Sequence, residues 1–465
     1  MVSIKSSKIN LLEGNLYKTI IKLGSPIALG AAIQMFYNLA DTFWLGKLGR
    51  SAISAPIISF HIIFLIIALG MGFSIAGTSL VSQFTGAGEK EKVDRVTGNI
   101  LLYLGIGSLF FVFLIYPFSS EILKLLRTPS DAFPKTFTYF RITVIGIPLS
   151  FPFFVFQAVF NGYGDTKTPL KIEMTSAILN LILDPIFIFG YFGFPELGVK
   201  GAAIATTGTR ALASFIALYI LFKGKKGIKI TLKDLKPDRS LLPMILKTGA
   251  PASLGMSGAS FGFLVLMGLV NTFGTSVISA FGIMSKIVHL YMMPAMGIGS
   301  AVTAIVGQSL GANMPARAKE AVKKGIRLMI IVISPFILFS TFFGHELTGF
   351  FIPGDLLVQS IGATMFLIIS PSVFFFGLSS IINGAFQGSG YTVPIMVTNL
   401  ARIWLFRIPF VYILAVVIMN GPSNPDATTG IWWGMFFSNM LSFLMIYFWY
   451  LQGKWSKARI KEIKR

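Results

Sequence analysis

The sequence predicts an all-α integral membrane protein of twelve transmembrane helices, arranged as two six-helix bundles related by a pseudo-two-fold axis. Three observations lead there: an apolar composition too rich for a soluble chain, a ladder of apolar stretches each long enough to cross a bilayer, and an internal repeat that carries the first half of the chain onto the second.

Of the 465 residues, 54% are hydrophobic and only 12% charged, with a mean hydropathy of +0.76; soluble domains carry about twice that share of charge. A crossing needs roughly 20 apolar residues. Stretches of that length, bounded by Gly, Pro or charge, begin near Tyr17, Ser51, Val96, Asp131, Thr168, Leu197, Leu241, Thr275, Arg317, Asp355, Tyr391 and Ala427. The expected layout is a cytoplasmic segment 1–16, a first lobe 17–222, a basic linker 223–240, a second lobe 241–452 and a basic tail 453–465. The opening segment (Lys5, Lys8 and Glu13 among its residues) is polar, short and able to form a surface helix. It does not read as a cleavable leader, because the first apolar run is long enough to remain in the membrane.

The net charge of +21 could point to nucleic acid, but its distribution says otherwise. About 28 of the 39 Lys and Arg fall on one side if the N-terminus is cytoplasmic, the largest cluster being Lys223, Lys225, Lys226, Lys229, Lys233, Lys236, Arg239 and Lys247. The loops on the other side hold about seven, Lys47, Arg50, Lys124 and Arg127 among them. The positive-inside rule then places both termini in the cytoplasm and accounts for the charge without a nucleic-acid partner. Cysteine is absent, which excludes disulfides and thiolate metal sites.

A shift of 225 positions gives a gapless match from Lys22 to Ala87. Lys22, Gly24, Pro26, Leu29 and Gly30 fall on Lys247, Gly249, Pro251, Leu254 and Gly255, and Thr78, Val81, Gln83 and Gly86 on Thr303, Val306, Gln308 and Gly311. A third block, FNGYGDT from Phe160, meets FQGSGYT from Phe386 at a shift of 226. A constant offset through Gly, Pro and Gln marks a duplication, and an even number of helices per copy keeps both copies in one orientation, with a central cleft between them.

The paired openings GSPIALG and GAPASLG, the VSQFTGAG and VGQSLGAN turns, the NGYGDTKTP loop and the twelve-helix layout resemble the MATE (multidrug and toxic compound extrusion) family of the MOP superfamily. The acids of the first half are similar to those of its DinF-type branch, known from prokaryotes including archaea. The resemblance spans nearly the whole chain. It implies a secondary antiporter of the cell membrane, a monomer that exports lipophilic, often cationic drugs in exchange for H+ or Na+, with no other cofactor.

Ionisable groups at membrane depth are costly, so each is a functional candidate. In the first half these are Asp41 and Asp184, with His61 and Arg210; in the second, Lys286, His289, Arg402 and Arg407, with no carboxylate. Helices one and five run outward and helices four and six inward, so Asp41, Asp184, Tyr139 and Thr206 all fall in the outer half. Gln34, Asn38 and Asp41 share a helical face, and Asn180 precedes Asp184 by one turn. Burial and a like-charged neighbour favour the protonated carboxyl, as reversible protonation requires, while the oxygen ligands equally suit sodium; the sequence leaves both open. The family resemblance implies that Asp41 carries the coupling ion, with Asn180, Asp184, Tyr37, Tyr139 and Thr206 around it, and that helix one bends at Pro26 in response. His61 and Lys286 align across the repeat and could pair with an acid or line the cleft, as could Gln34. Arg402 and Arg407 are expected to snorkel or to bond between helices. The 45 Phe and 19 Met suit a promiscuous greasy site.

No GxxxxGK[ST] loop, HExxH or GxSxG motif occurs, and His61, His289 and His345 are scattered, so neither nucleotide hydrolysis nor an enzyme is expected. A lipid-linked oligosaccharide flippase of the same superfamily would want a basic cleft, and a channel or scaffold would not need two buried acids.

Overall fold

The computed structural model describes residues 8–424 and 426–460, except for the side chains of Arg50 and His61, which lie outside it. Among the described residues, twelve helices are long and apolar enough to span a membrane. They are α1 (Leu16–Gly46), α2 (Ser51–Gly86), α3 (Lys90–Ile115), α4 (Phe133–Tyr163), α5 (Lys167–Phe189), α6 (Val199–Lys223), α7 (Leu242–Asn271), α8 (Thr275–Gly311), α9 (Pro315–Phe342), α10 (Leu356–Ser389), α11 (Val393–Ile418) and α12 (Ala427–Leu451). All but α3, which starts at Lys90 rather than near Val96, begin within two residues of their expected positions, because Gly, Pro and charge end apolar runs where helices end. Among the described residues there is no strand.

The repeat is visible in the backbone. Gly49 and Gly274, equivalent residues ahead of α2 and α8, have φ of 98° and 97°. Gly88 and Asn313 share a second left-handed turn, and Gly164 and Gly390 a third.

The chain forms two compact units whose boundaries differ from those the sequence suggests. One contains Leu29–Gly249, together with the described residues before Leu11; the other contains Leu11–Ala28 and the chain from Ala250 onward. The beginning of α1 therefore belongs with the second unit, and the 223–240 linker and the beginning of α7 belong with the first. Packing explains the exchange. A Cβ on Gly24 would stand 2.8 Å from the Gly297 carbonyl oxygen, and one on Gly297 would stand 2.4 Å from that of Gly24, so the bare backbones of α1 and α8 lie in contact. The Arg317 side chain donates to the carbonyls of Leu11 (2.9 Å) and Glu13 (2.8 Å). Leu11, Leu16, Ile20 and Leu23 are buried beside them. Pro26 and Pro251 lie inside their helices, both of which continue through them; each stands within two residues of the position at which its helix passes from one unit to the other.

Residues 8–15 of the opening segment, which the sequence left able to form a surface helix, are not helical, and its residues before Lys8 lie outside the described chain. The basic linker is docked rather than loose. Asn99 of α3 donates to the carbonyls of Asp234 (3.1 Å) and Lys236 (3.2 Å) and accepts from the Asp238 amide (2.8 Å). Arg95 pairs with Asp238 at 3.3 Å.

Candidate functional site

Tyr37 and Asp41 stand one turn apart on α1, Tyr139 on α4, Asn180 and Asp184 one turn apart on α5, and Thr206 on α6. All six are buried, from 0% exposure for Asn180 and Asp184 to 9% for Tyr37. Asn180 donates to Asp184 Oδ1 at 3.0 Å, and the two carboxyls are close enough to act on each other electrostatically. Two ionised carboxylates near each other in a buried pocket repel, so the pocket is more favourable with a proton or cation in it than without.

The same demand shows in the oxygens left over. Tyr37 OH, Asp41 Oδ1, Asn180 Oδ1, Asp184 Oδ2 and Thr206 Oγ1 are all buried and have no hydrogen-bond partner among the described residues. Buried oxygens are normally satisfied, and each one left alone costs about 1–3 kcal/mol. Five in one lobe, on the residues that frame an acid pair, make an all-oxygen donor set suited to a proton or to a hard cation such as sodium.

The remaining expected site residues fall elsewhere. Asn38 is exposed and accepts from Gln34 at 3.3 Å. The face of α1 turned inward is Tyr37 and Asp41, four apart, and Asn38 is rotated about 100° from Tyr37. Lys286 is exposed, and no acid pairs with it among the described residues. The His61 side chain lies outside the described residues.

A titratable group that sequence reasoning passes over joins the site. Glu173, six residues into α5, lines a cavity of about 50 Å³ together with Gln34, Tyr37, Gln157, Ser176 and Arg210. Gln157 donates to Glu173 Oε2 at 3.4 Å, and Arg210 sits 5.8 Å from the Tyr37 ring. Gly30 makes the room, since a Cβ there would stand 2.8 Å from Glu173 Oε2. A cavity of that size has room for a few waters and not for a drug-sized ligand. The signal is in the sequence: Glu173, Asn180 and Asp184 are spaced i, i+7 and i+11, one helical face. Its place between Lys171 and the apolar run disguises it as part of the interface.

Twelve apolar spans around a buried acid pair define a multi-pass membrane transporter. The chain belongs to the MatE family, whose profile matches it twice, over residues 26–186 and 251–413, once in each copy of the repeat. It is 28% identical to the probable multidrug resistance protein YoeA of Bacillus subtilis, over 94% of each chain. It is 27% identical to the probable multidrug resistance protein NorM of Thermotoga maritima, over 96% of each. A solved outward-facing multidrug resistance MATE family transporter of the MOP superfamily superimposes with a TM-score of 0.87, covering 99% of this chain and 100% of that one at 24% identity; that likeness shows the fold. Family membership makes the protein a transporter of the cell membrane and not an enzyme.

Proposed function

We propose that the protein is a multidrug efflux antiporter, acting as a monomer with both termini in the cytoplasm, that exchanges external H+ or Na+ for lipophilic, often cationic drugs by alternating access. The single observation that carries this reading is the set of five partnerless buried oxygens on Tyr37, Asp41, Asn180, Asp184 and Thr206. A cation entering there would partner oxygens that otherwise stand alone, and its departure would leave two like charges in a low-dielectric pocket. That difference in free energy between the occupied and empty pocket is what can bias two conformations. Pro26 supplies the adjustable element, since it removes the hydrogen bond to the Lys22 carbonyl at the point where α1 changes units. The names of the relatives, multidrug resistance proteins, support the substrate class.

The test is transport of a fluorescent lipophilic cation in proteoliposomes under separately imposed pH and sodium gradients. Wild-type protein should respond to one gradient, and Asp41→Asn should lose the response. Gradient-driven uptake that survives unchanged in Asp41→Asn would overturn the coupling site, and dissipation of the gradient without drug movement would indicate a channel.

A further inference from the structure

Arg402 and Arg407 sit nine and fourteen residues after Val393 in α11, roughly 13 and 20 Å along a helix that crosses the membrane. Neither charge is offset by an acid among the described residues. Arg407 donates through Nε to Ser438 Oγ (2.9 Å) and through a terminal nitrogen to Asn439 Oδ1, both neutral, and Asn439 is held in turn by donation to Ser372 (3.0 Å). Arg402 has no hydrogen bond or ion pair among the described residues. Its Nε is buried without a partner, and its guanidinium lies 4.8 Å from the Phe376 ring. The described carboxylates of this lobe are Glu320, which pairs with Lys324 in the second turn of α9, Glu346 in a short helix that follows α9, and Asp355 and Asp426 just ahead of α10 and α12.

The backbone here is also unusual. Ala401–Arg407 and Tyr412–Ile418 are π-helical, a conformation that is rare and concentrates at functional sites. Residues five apart then lie close to one face, so Arg402 and Arg407 are stacked neighbours. Across the repeat, Arg402, Phe376 and Asn383 occupy the positions of Ser176, Ser150 and Gln157, three residues that line the cavity beside Glu173 in the first lobe. Asn383 brings an amide whose buried oxygen has no partner, and an amide can turn its NH2 toward an anion.

The geometry points to an oxyanion site inside the second lobe, in which the Arg402 fork binds a carboxylate or phosphate group while Arg407, fixed by Ser438 and Asn439, adds a second positive charge. A guanidinium with its donors free matches a planar or tetrahedral oxyanion in two-point fashion, which a lysine cannot do. This site does not depend on the coupling role of Asp41.

The experiment is thermal unfolding of the purified full-length protein with and without added benzoate, inorganic phosphate or phosphatidylglycerol, the last against phosphatidylcholine as the neutral control. At least one oxyanion should raise the midpoint for wild type and for Asp41→Asn equally, while Arg402→Gln should lose the shift, its affinity falling on the order of tenfold or more. Stabilisation by the anionic lipid alone assigns the site to a headgroup; stabilisation by benzoate or phosphate assigns it to a soluble acid. Should Arg402→Gln fail to fold, Arg402→Lys keeps the charge without the fork, and its shift should shrink. No shift in wild type with any probe, or an undiminished shift in Arg402→Gln or in Arg402→Lys, would overturn the proposal.

Discussion

The two lobes are copies of one scaffold with opposite interiors. Where the first lobe has Asp41, Asn180 and Asp184, the repeat places Leu266, Phe406 and Phe410 in the second; where the first has Ser176, the second has Arg402. The framework that survives in both, Gly24 and Gly249, Pro26 and Pro251, Gln83 and Gln308, is the part that sets helix packing. Duplication therefore preserved the backbone geometry and released the polar interior to diverge. One copy came to hold buried carboxylates, and the other holds guanidiniums with no acid beside them among the described residues.

Several experiments can break or sharpen that contrast. The largest effect is expected from giving the first lobe the second lobe's interior: Asp41→Leu should abolish gradient-driven drug transport in proteoliposomes while leaving the protein folded, because an apolar side chain at a buried acid position does not threaten packing. Retained transport would mean that the acid pair is not the coupling element. Next, Asn439→Leu should lower stability by about 1–3 kcal/mol, since it removes one of the two acceptors of the half-buried Arg407 and leaves only Ser438, whereas Arg407→Met, which removes the charge itself, should cost less than about 1 kcal/mol. Equal losses in thermal unfolding would show that the network matters for packing and not for its charge. A smaller effect, about 1–3 kcal/mol, is expected for Gly24→Ala, whose Cβ would meet the Gly297 carbonyl at 2.8 Å; an unchanged unfolding midpoint would argue against the close backbone contact.

The smallest effect concerns the docked linker. Hydrogen bonding from Ser240, with Arg95 adding its charge, holds the Asp238 carboxyl below its ordinary range. A carboxyl lowered in the folded state contributes stability that is fully present above its unfolded pKa of about 3.9 and is lost as pH falls through the lower folded value. Asp238→Asn should therefore lower the unfolding midpoint slightly at pH 7 and stop differing from wild type in strong acid. A difference that persists in acid would mean that the side chain acts through shape.

Much of this architecture is legible in the amino-acid sequence. The spans, the repeat and the acid pair rest on periodicity and on the cost of burying charge, and both leave marks in a single chain. Asp41, Asp184, Asn180, Tyr37, Tyr139 and Thr206 are buried in one lobe; helical spacing pairs Asn180 with Asp184, whereas Tyr37, Tyr139 and Thr206 are reached only through the family resemblance. Three features stay hidden, for different reasons. The exchange of the beginnings of α1 and α7 depends on contacts between segments far apart in sequence, such as Gly24 with Gly297, which no local pattern reports. Asn38 falls on the pocket face by spacing alone, because an i, i+4, i+7 pattern does not distinguish one flank of a helix from its centre. Glu173 escapes notice because it follows Lys171 at the edge of an apolar run, and only its register with Asn180 and Asp184 gives it away.

The central claim, that the coupling ion resides in the first lobe and not in the second, is tested most directly by measuring ion release from the purified protein on addition of a saturating lipophilic cation, in wild type and in Asp41→Asn. Wild type should release its bound proton or sodium as the drug binds, and Asp41→Asn should release none. Equal release from both proteins would contradict the account.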